Sequence, residues 1–110
     1  MAGKFVLETG KSGKYRFNLR AGNSQIILTS ETYEAKAGAE NGIDSVRTNS
    51  QDDARYTRKT AKDGSRFFVL KATNGETIGK SEMYTSAAGM ENGIKSVRTN
   101  APGATVVDKT

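Results

Sequence analysis

The chain has neither cysteine nor histidine among its 110 residues. That removes disulfides, together with the thiolate and imidazole ligands on which most metal sites depend. Acid–base chemistry is left to carboxylates and lysines, and no nucleophile stands beside a recognisable base. No apolar run approaches the roughly 20 residues of a membrane-spanning helix. At the N-terminus, Met1-Ala2-Gly3-Lys4-Phe5-Val6-Leu7-Glu8 holds too short an apolar stretch for a secretory signal. These absences lead to the expectation of a cytoplasmic, non-catalytic protein with no cofactor, no metal and no membrane partner.

What the chain does contain is a repeat. Glu40-Asn41-Gly42-Ile43, with Ser45-Val46-Arg47-Thr48-Asn49 after it, returns as Glu91-Asn92-Gly93-Ile94 with Ser96-Val97-Arg98-Thr99-Asn100. From Ser30 to Asn49 against Ser81 to Asn100, 14 of 20 positions are identical. The match continues upstream without a gap through Gly13/Gly64, Phe17/Phe68, Leu19/Leu70 and Ile27/Ile78. A period of 51 residues, present twice, marks a duplicated supersecondary unit. A half of this size buries too little surface to stand alone, so the halves are expected to share one core. The reading is a single domain over residues 1–110: repeat one at 1–53, repeat two at 54–104, and a terminal strand at 104–108.

Each unit opens with β signals. Phe5-Val6-Leu7 is followed by a turn, and then Tyr15, Phe17 and Leu19 alternate with polar residues, the period of a half-buried strand. Gln25 to Thr29 supplies a third strand. Tyr56–Lys59, Arg66–Lys71 and Glu76–Lys80 repeat the meander, with Asp63-Gly64 and Asn74-Gly75 as turns. A helix follows each, over Glu34–Thr48 and Thr85–Thr99. On a helical wheel Gly38, Gly42, Ile43 and Val46 share one face, and Gly89, Gly93, Ile94 and Val97 reproduce it. Glycine within a helix costs about 1 kcal/mol relative to alanine. Three explanations compete for the pairs: close packing on the sheet or the twin helix, a helix break, or a ligand approaching bare backbone. Ile43 and Val46 continue the apolar face past Gly42, which favours packing. Asn49 and Asn100 stand where left-handed caps are expected, and Pro102 reinforces the second stop. Carrying the offset forward once more places Thr105-Val106-Val107-Asp108 where another first strand would begin.

The meander, the Ser-Glu-x-Tyr of residues 30–33 and 81–84, and the Asn-Gly-Ile-x-Ser-Val core together resemble the YegP-like family of small bacterial proteins. The resemblance covers nearly the whole chain. It implies an α+β fold of two tandem β-β-β-α repeats in pseudo-twofold arrangement. They share one antiparallel sheet under two helices, with a C-terminal strand exchanged between repeats. Some members are similar but carry one unit and pair as homodimers, so a two-unit chain reads as a fused pseudo-dimer, a monomer. The family brings no established catalytic residue, cofactor or substrate.

Function must then come from surfaces. Gly75-Glu76-Thr77-Ile78-Gly79-Lys80-Ser81 has the look of a phosphate loop but only three residues between its glycines, and no helix opens at Lys80. Gly10-Lys11-Ser12 lacks the earlier glycine altogether. Glu31 and Glu82 suit helix entry, and Glu40 and Glu91 suit helix-surface pairing. Net charge is +5, and it is unevenly placed: residues 1–53 carry seven Lys/Arg and seven Asp/Glu, residues 54–110 ten and five. Arg55, Arg58, Lys59, Lys62, Arg66 and Lys71 cluster in the second meander, interleaved with Tyr56, Phe67 and Phe68. That pattern is a candidate platform for nucleic acid. If alternate strand residues face the helices, Val6, Ile26, Leu28, Phe67 and Val69 face away and form a candidate protein-interaction face. A protein partner needs no missing chemistry, so an interaction module is the leading expectation. Low-specificity nucleic-acid binding is the alternative.

Overall fold

The computed structural model describes residues 3–110; Met1 and Ala2 of the N-terminal stretch lie outside the described residues. Repeat one supplies β1 (Lys4–Thr9), β2 (Tyr15–Arg20), β3 (Ile26–Ser30) and α1 (Lys36–Asn49). Repeat two supplies β4 (Tyr56–Thr60), β5 (Arg66–Lys71), β6 (Thr77–Lys80) and α2 (Ala87–Asn100), and β7 (Thr105–Asp108) ends the chain. A 3-10 turn at Asp53–Arg55 precedes β4.

All seven strands form one sheet in the order β4-β5-β6-β3-β2-β1-β7. The repeats join where β3 and β6 pair antiparallel. The terminal strand leaves repeat two and pairs with β1 of repeat one, as expected of an exchanged strand. That pair is parallel, so the sheet is mixed where an antiparallel one was expected. The cause is where α2 delivers the chain: Thr105 enters beside Lys4, and the two strands set out from the same end.

Side-chain alternation sends Phe5, Leu7, Phe17 and Leu19, with Phe68 and Leu70, to the helix side, all almost fully buried. There they meet Ile43, Val46, Ile94 and Val97. Complete burial of each such side chain stabilises by about 1.5–3 kcal/mol. The helices start two residues later than expected because Tyr33 and Tyr84 are still tied to the sheet. Tyr33 exchanges both backbone hydrogen bonds with Tyr15, at 2.7 and 2.8 Å, and Tyr84 does the same with Arg66.

Those two tyrosines account for the helix glycines. A Cβ on Gly42 would come within 2.9 Å of Tyr33 Cζ and Phe17 Cε2, and one on Gly93 within 2.6 Å of Tyr84 Cζ. Gly38 and Gly89 line the same two seats less tightly. The close packing is therefore on the sheet side, as expected: against Tyr33 and β2 residue Phe17 for Gly42, and against Tyr84 for Gly93, with the twin helix not among the nearest contacts. Each tyrosine ring also stacks on the central phenylalanine, Phe17 or Phe68, at 6.3 and 6.5 Å between centroids. Phe5 and Tyr56 complete the two triplets edge-on.

Two expectations fail for local reasons. The left-handed caps at Asn49 and Asn100 are not formed; both helices run on into right-handed Ser50 and Ala101. The asparagines are buried and donate back to the carbonyls of Ser45 and Ser96, at 2.9 and 2.8 Å. Leu28 does not face away from the helices. A bulge between β2 and β3 pairs Arg20 with Ile26 but Leu19 with Leu28, leaving Ile27 over. Ile27 and Leu28 consequently both enter the core, Leu28 fully buried.

Candidate interaction surface

The face of the sheet opposite the helices carries one continuous row of partnered residues. Across the strands it reads Thr57, Val69, Lys80, Thr29, Asn18, Val6 and Val107. Two valines lie flat in that row, Val69 at 6% and Val6 at 2% exposure, and neither belongs to the core between sheet and helices. At the repeat-two end, beside the β3–β6 junction, the surface deepens into a groove of about 610 Å³. Phe67, Val69 and Met83 give it an apolar lining, with Lys59, Lys80 and Glu82 around them. Met83 is 51% exposed at its rim.

Lys80 holds its ammonium 4.8 Å from the centre of the Phe67 ring, a cation–π contact that fixes both side chains at the groove wall. The floor is rigid for a different reason. Ser30 and Ser81 Oγ accept the N–H groups of Phe17 and Phe68 at 2.8 and 3.0 Å and donate to the carbonyls of Glu31 and Glu82. The Ser-Glu-x-Tyr motif thus closes each meander with its serine and seats the helix with its tyrosine. Burial in that seat raises the phenol pKa of both Tyr33 and Tyr84, so neither is poised for proton transfer near neutral pH.

Of the five residues expected on the interaction face, Phe67 and Val69 come together in the groove. Val6 lies across the sheet beside Asn18 and Val107. Ile26 is half-buried in a separate depression with Arg20, Gln25 and Glu82. Leu28 is in the core. Lys80 and Met83 belong to the surface and were missed. The available signal was their departure from the repeat, since repeat one has Thr29 and Thr32 at those positions.

The six basic residues do not make one platform. Alternation puts Lys59 on the outer face with Phe67 but sends Arg58 and Arg66 to the helix side with Phe68. Lys62 lies in the β4–β5 turn, and Lys71 ends β5 against Thr77. Arg55 pairs with Asp52 at 3.4 Å. Arg58 is clamped by Glu91 and Asp53, with Nη2 donating at 3.0 and 2.9 Å. Those hydrogen bonds hold the carboxyls of Glu91 and Asp53 below their usual range and push the guanidinium pKa up, Glu91 being the larger cause.

The family model described as "Domain of unknown function (DUF1508)" matches residues 11–56 and again 61–108. The chain belongs to the DUF1508 family. Each matched segment takes in the second and third strands of a meander and the helix after them; β1 precedes the first segment, β4 lies almost wholly between the two, and the second runs on through β7. Among relatives, a UPF0339 protein of Bordetella pertussis is 57% identical over 110 residues, covering 100% of this chain and 98% of the relative. The UPF0339 protein YegP of Escherichia coli O157:H7 is 50% identical, with both chains covered completely. The solution NMR structure of YegP from E. coli superposes with a TM-score of 0.95 at 49% identity, covering 100% of this chain and 95% of that one. That of UPF0339 protein SO3888 from Shewanella oneidensis gives 0.93 at 47% identity, over 98% and 92%. The DUF1508 fold is thus shared over the full length, and the names of these relatives carry no activity.

Proposed function

We propose that the chain is a non-catalytic protein-interaction module of the bacterial cytoplasm, a monomer that presents the helix-free face of its sheet to a protein partner. The observation that carries this is the groove at Phe67, Val69 and Met83. It lies on a sheet face that neither helix covers, with Met83 exposed, Phe67 half-buried and Val69 buried, and charged side chains around them. The serines and tyrosines of the repeated motifs are occupied in holding the fold, which leaves them no free role in chemistry.

A second reading draws on one specific contact. Lys59, Phe67 and Lys80 stand side by side on the outer face, an aromatic surface between two cations, which is the local chemistry of single-strand binding. Arg55 and Arg58 give this reading no support, since Arg55 lies in the 3-10 turn before β4 and Arg58 is on the helix side of the sheet with Phe68.

A photo-crosslinking amino acid at position 83, in cells producing the chain, tests both. The module reading expects a discrete crosslinked protein that survives nuclease and disappears when Val69→Asp is added. The same reagent at exposed position 37 on α1 serves as background. Crosslinks lost to nuclease establish the nucleic-acid reading in its place. Crosslinks at position 83 no stronger than at position 37 overturn both.

A further inference from the structure

The two outer edges of the repeats are built from corresponding residues but are covered differently. β1 is flanked by β2 on one side and β7 on the other, whereas β4 pairs with β5 alone among the described residues. The seat that β7 fills is well defined. Val106 stands opposite Phe5 and, still 44% exposed, lines a shallow depression of about 220 Å³ together with Ile43 and Arg47 of α1. Arg47 donates to the carbonyl of Ala104 at 2.6 Å, and Asp108 meets Lys36 at 2.6 Å.

Counting on by the repeat period, Ile43 and Arg47 become Ile94 and Arg98, Asp44 becomes Lys95, and Leu7 becomes Arg58. Ile94, Lys95, Arg98 and Arg58 line an open groove of about 540 Å³ beside β4. The backbone there is also available. Phe68 gives its N–H to Ser81 Oγ, and its carbonyl accepts from Ser81 N–H at 2.9 Å. Arg58 opposite therefore turns its own N–H and carbonyl away from β5, as Leu7 does, whose carbonyl accepts from Lys109 N–H at 2.9 Å.

We propose that the free edge of β4 accepts an extended acidic segment of a partner protein, which adds as a parallel strand in the place β7 takes on β1. The chemistry of the segment follows from the seat. A branched apolar residue opposite Tyr56 fills the groove over Ile94. An acidic residue two positions on meets Arg58, which replaces Leu7, while Lys36, the partner of Asp108 on the other edge, is replaced by Ala87. Arg58, Lys95 and Arg98 outnumber Asp53 and Glu91 in this groove, so the incoming charge is complemented. In the free chain Glu91 and Asp53 hold Arg58 in place of the ligand. The tail of a second copy has a suitable pattern in Val106 and Asp108, but in its own chain it is seated on β1, and two chains of charge +5 repel. Charged residues on an open edge oppose pairing between copies of the chain while leaving an acidic strand free to bind.

The inference rests on the interaction-module reading but uses the sheet edge, not the outer face. Its test is a titration of the full-length chain, followed by amide NMR, with the capped peptide Ala-Thr-Val-Val-Asp-Asp. Saturable shifts are expected at Tyr56, Arg58, Ile94 and Arg98. Affinity should fall about tenfold, the loss of one charge-assisted contact, in Arg58→Gln and with a peptide carrying asparagine for its acids. Phe67→Ser should leave it unchanged. The spectra report folding of each variant directly. Shifts around Phe67 and Thr77, disturbance of Leu7 and Lys109, or no saturation by about 1 mM peptide would each overturn the edge site. So would concentration-dependent changes at β4 without peptide, which place a second copy there. The outer-face reading fails separately, by its own crosslinks, whatever the peptide does.

Discussion

Leu7 and Arg58 stand at the same place in the two repeats and have different surroundings. Leu7 is covered by β7 and is 1% exposed. Arg58 lies on an uncovered edge, and its charge is balanced by two carboxylates. The same division runs through the molecule. Positions identical between the repeats, such as Gly42/Gly93, Ile43/Ile94, Val46/Val97 and Asn49/Asn100, are buried and hold each helix on its meander. Positions that differ, such as Thr29/Lys80, Thr32/Met83, Asp44/Lys95 and Leu7/Arg58, mark where one copy faces solvent or a neighbour that the other lacks. Duplication preserved the packing, and divergence made the surfaces.

Some buried pairs also differ, among them Phe5/Tyr56, Ala39/Met90, Ser50/Ala101 and Leu28/Gly79, and the last gives the largest expected effect. Leu28 corresponds to Gly79, and the two lie close together at the junction of β3 and β6. A Cβ on Gly79 would stand 2.9 Å from Leu28 Cγ and 3.0 Å from the carbonyl oxygen of Thr29. There is room for one leucine at the junction and not for two. Leu28→Ala should cost about 3 kcal/mol, because the rigid strands around it cannot collapse into the space. Gly79→Leu should also destabilise, by about 2 kcal/mol. Urea midpoints of both variants decide it. A harmless Gly79→Leu would show that the asymmetry at the junction has no steric origin.

Next in size are the helix glycines, where the repeats should behave alike. Gly42→Leu and Gly93→Leu gain about 1 kcal/mol of helix propensity. They lose more to the tyrosine rings beneath, for a net cost of about 2 kcal/mol each. In a Tyr33→Ala background the cost of Gly42→Leu should largely vanish, and a double-mutant cycle in denaturant measures that coupling. Additive costs would mean the tyrosine is not what the glycine accommodates.

How far these features were legible depends on what each signal reports. Strand alternation placed Phe17, Leu19, Phe68 and Leu70 on the helix side, and the repeat offset located β7. The wheel gave the face of Gly42 without revealing that Tyr33 lies on it, because a helical pattern carries no information about what packs there. Alternation misplaced Leu28 because one extra residue, Ile27, reverses the parity of β3. By residue type Asn49 suggests a cap, while its burial at the helix end is a tertiary fact. The open edge of β4 was invisible for a similar reason. Only the strand order shows that β7 covers one edge and leaves the corresponding one bare.

A smaller effect should follow from exchanging the edges' chemistry. Arg58→Leu gives β4 the residue that β1 carries under β7. The lost ion pairs are largely exposed, so stability should change by less than about 1 kcal/mol. Solubility should respond more, since a bare edge without its charge pairs readily with other copies. Sedimentation velocity at rising concentration measures this. A variant as monodisperse as the parent would mean that charge is not what keeps this edge free.

The finest distinction between the edges is their response to acid. Lys36 holds the Asp108 carboxyl well below its ordinary value of 3.8, mainly through their hydrogen bond, with further help from Thr110. Asp108 in turn raises Lys36 above 10.5. A lowered carboxylate pKa favours the docked strand above 3.8, and that contribution fades as pH falls toward the folded-state pKa. The raised ammonium contributes below 10.5 and is lost as pH climbs through its folded-state value. Seating of β7 should therefore be constant between those limits and weaken in acid. Glu91 and Asp53 are lowered by Arg58 in the same sense, so acid also loosens the clamp on β4, yet no strand hangs on that clamp. Amide exchange separates the two edges. Protection of Lys109 N–H, which donates to Leu7, should drop as pH falls below 3.8. Protection across the Thr57–Val69 pair of β4 and β5 should hold. In Asp108→Asn the Lys109 amide should exchange faster at neutral pH and lose its acid dependence. If Lys109 keeps its protection in acid, β7 is held by Val106 and the backbone ladder alone, and the charge pair at its end is incidental.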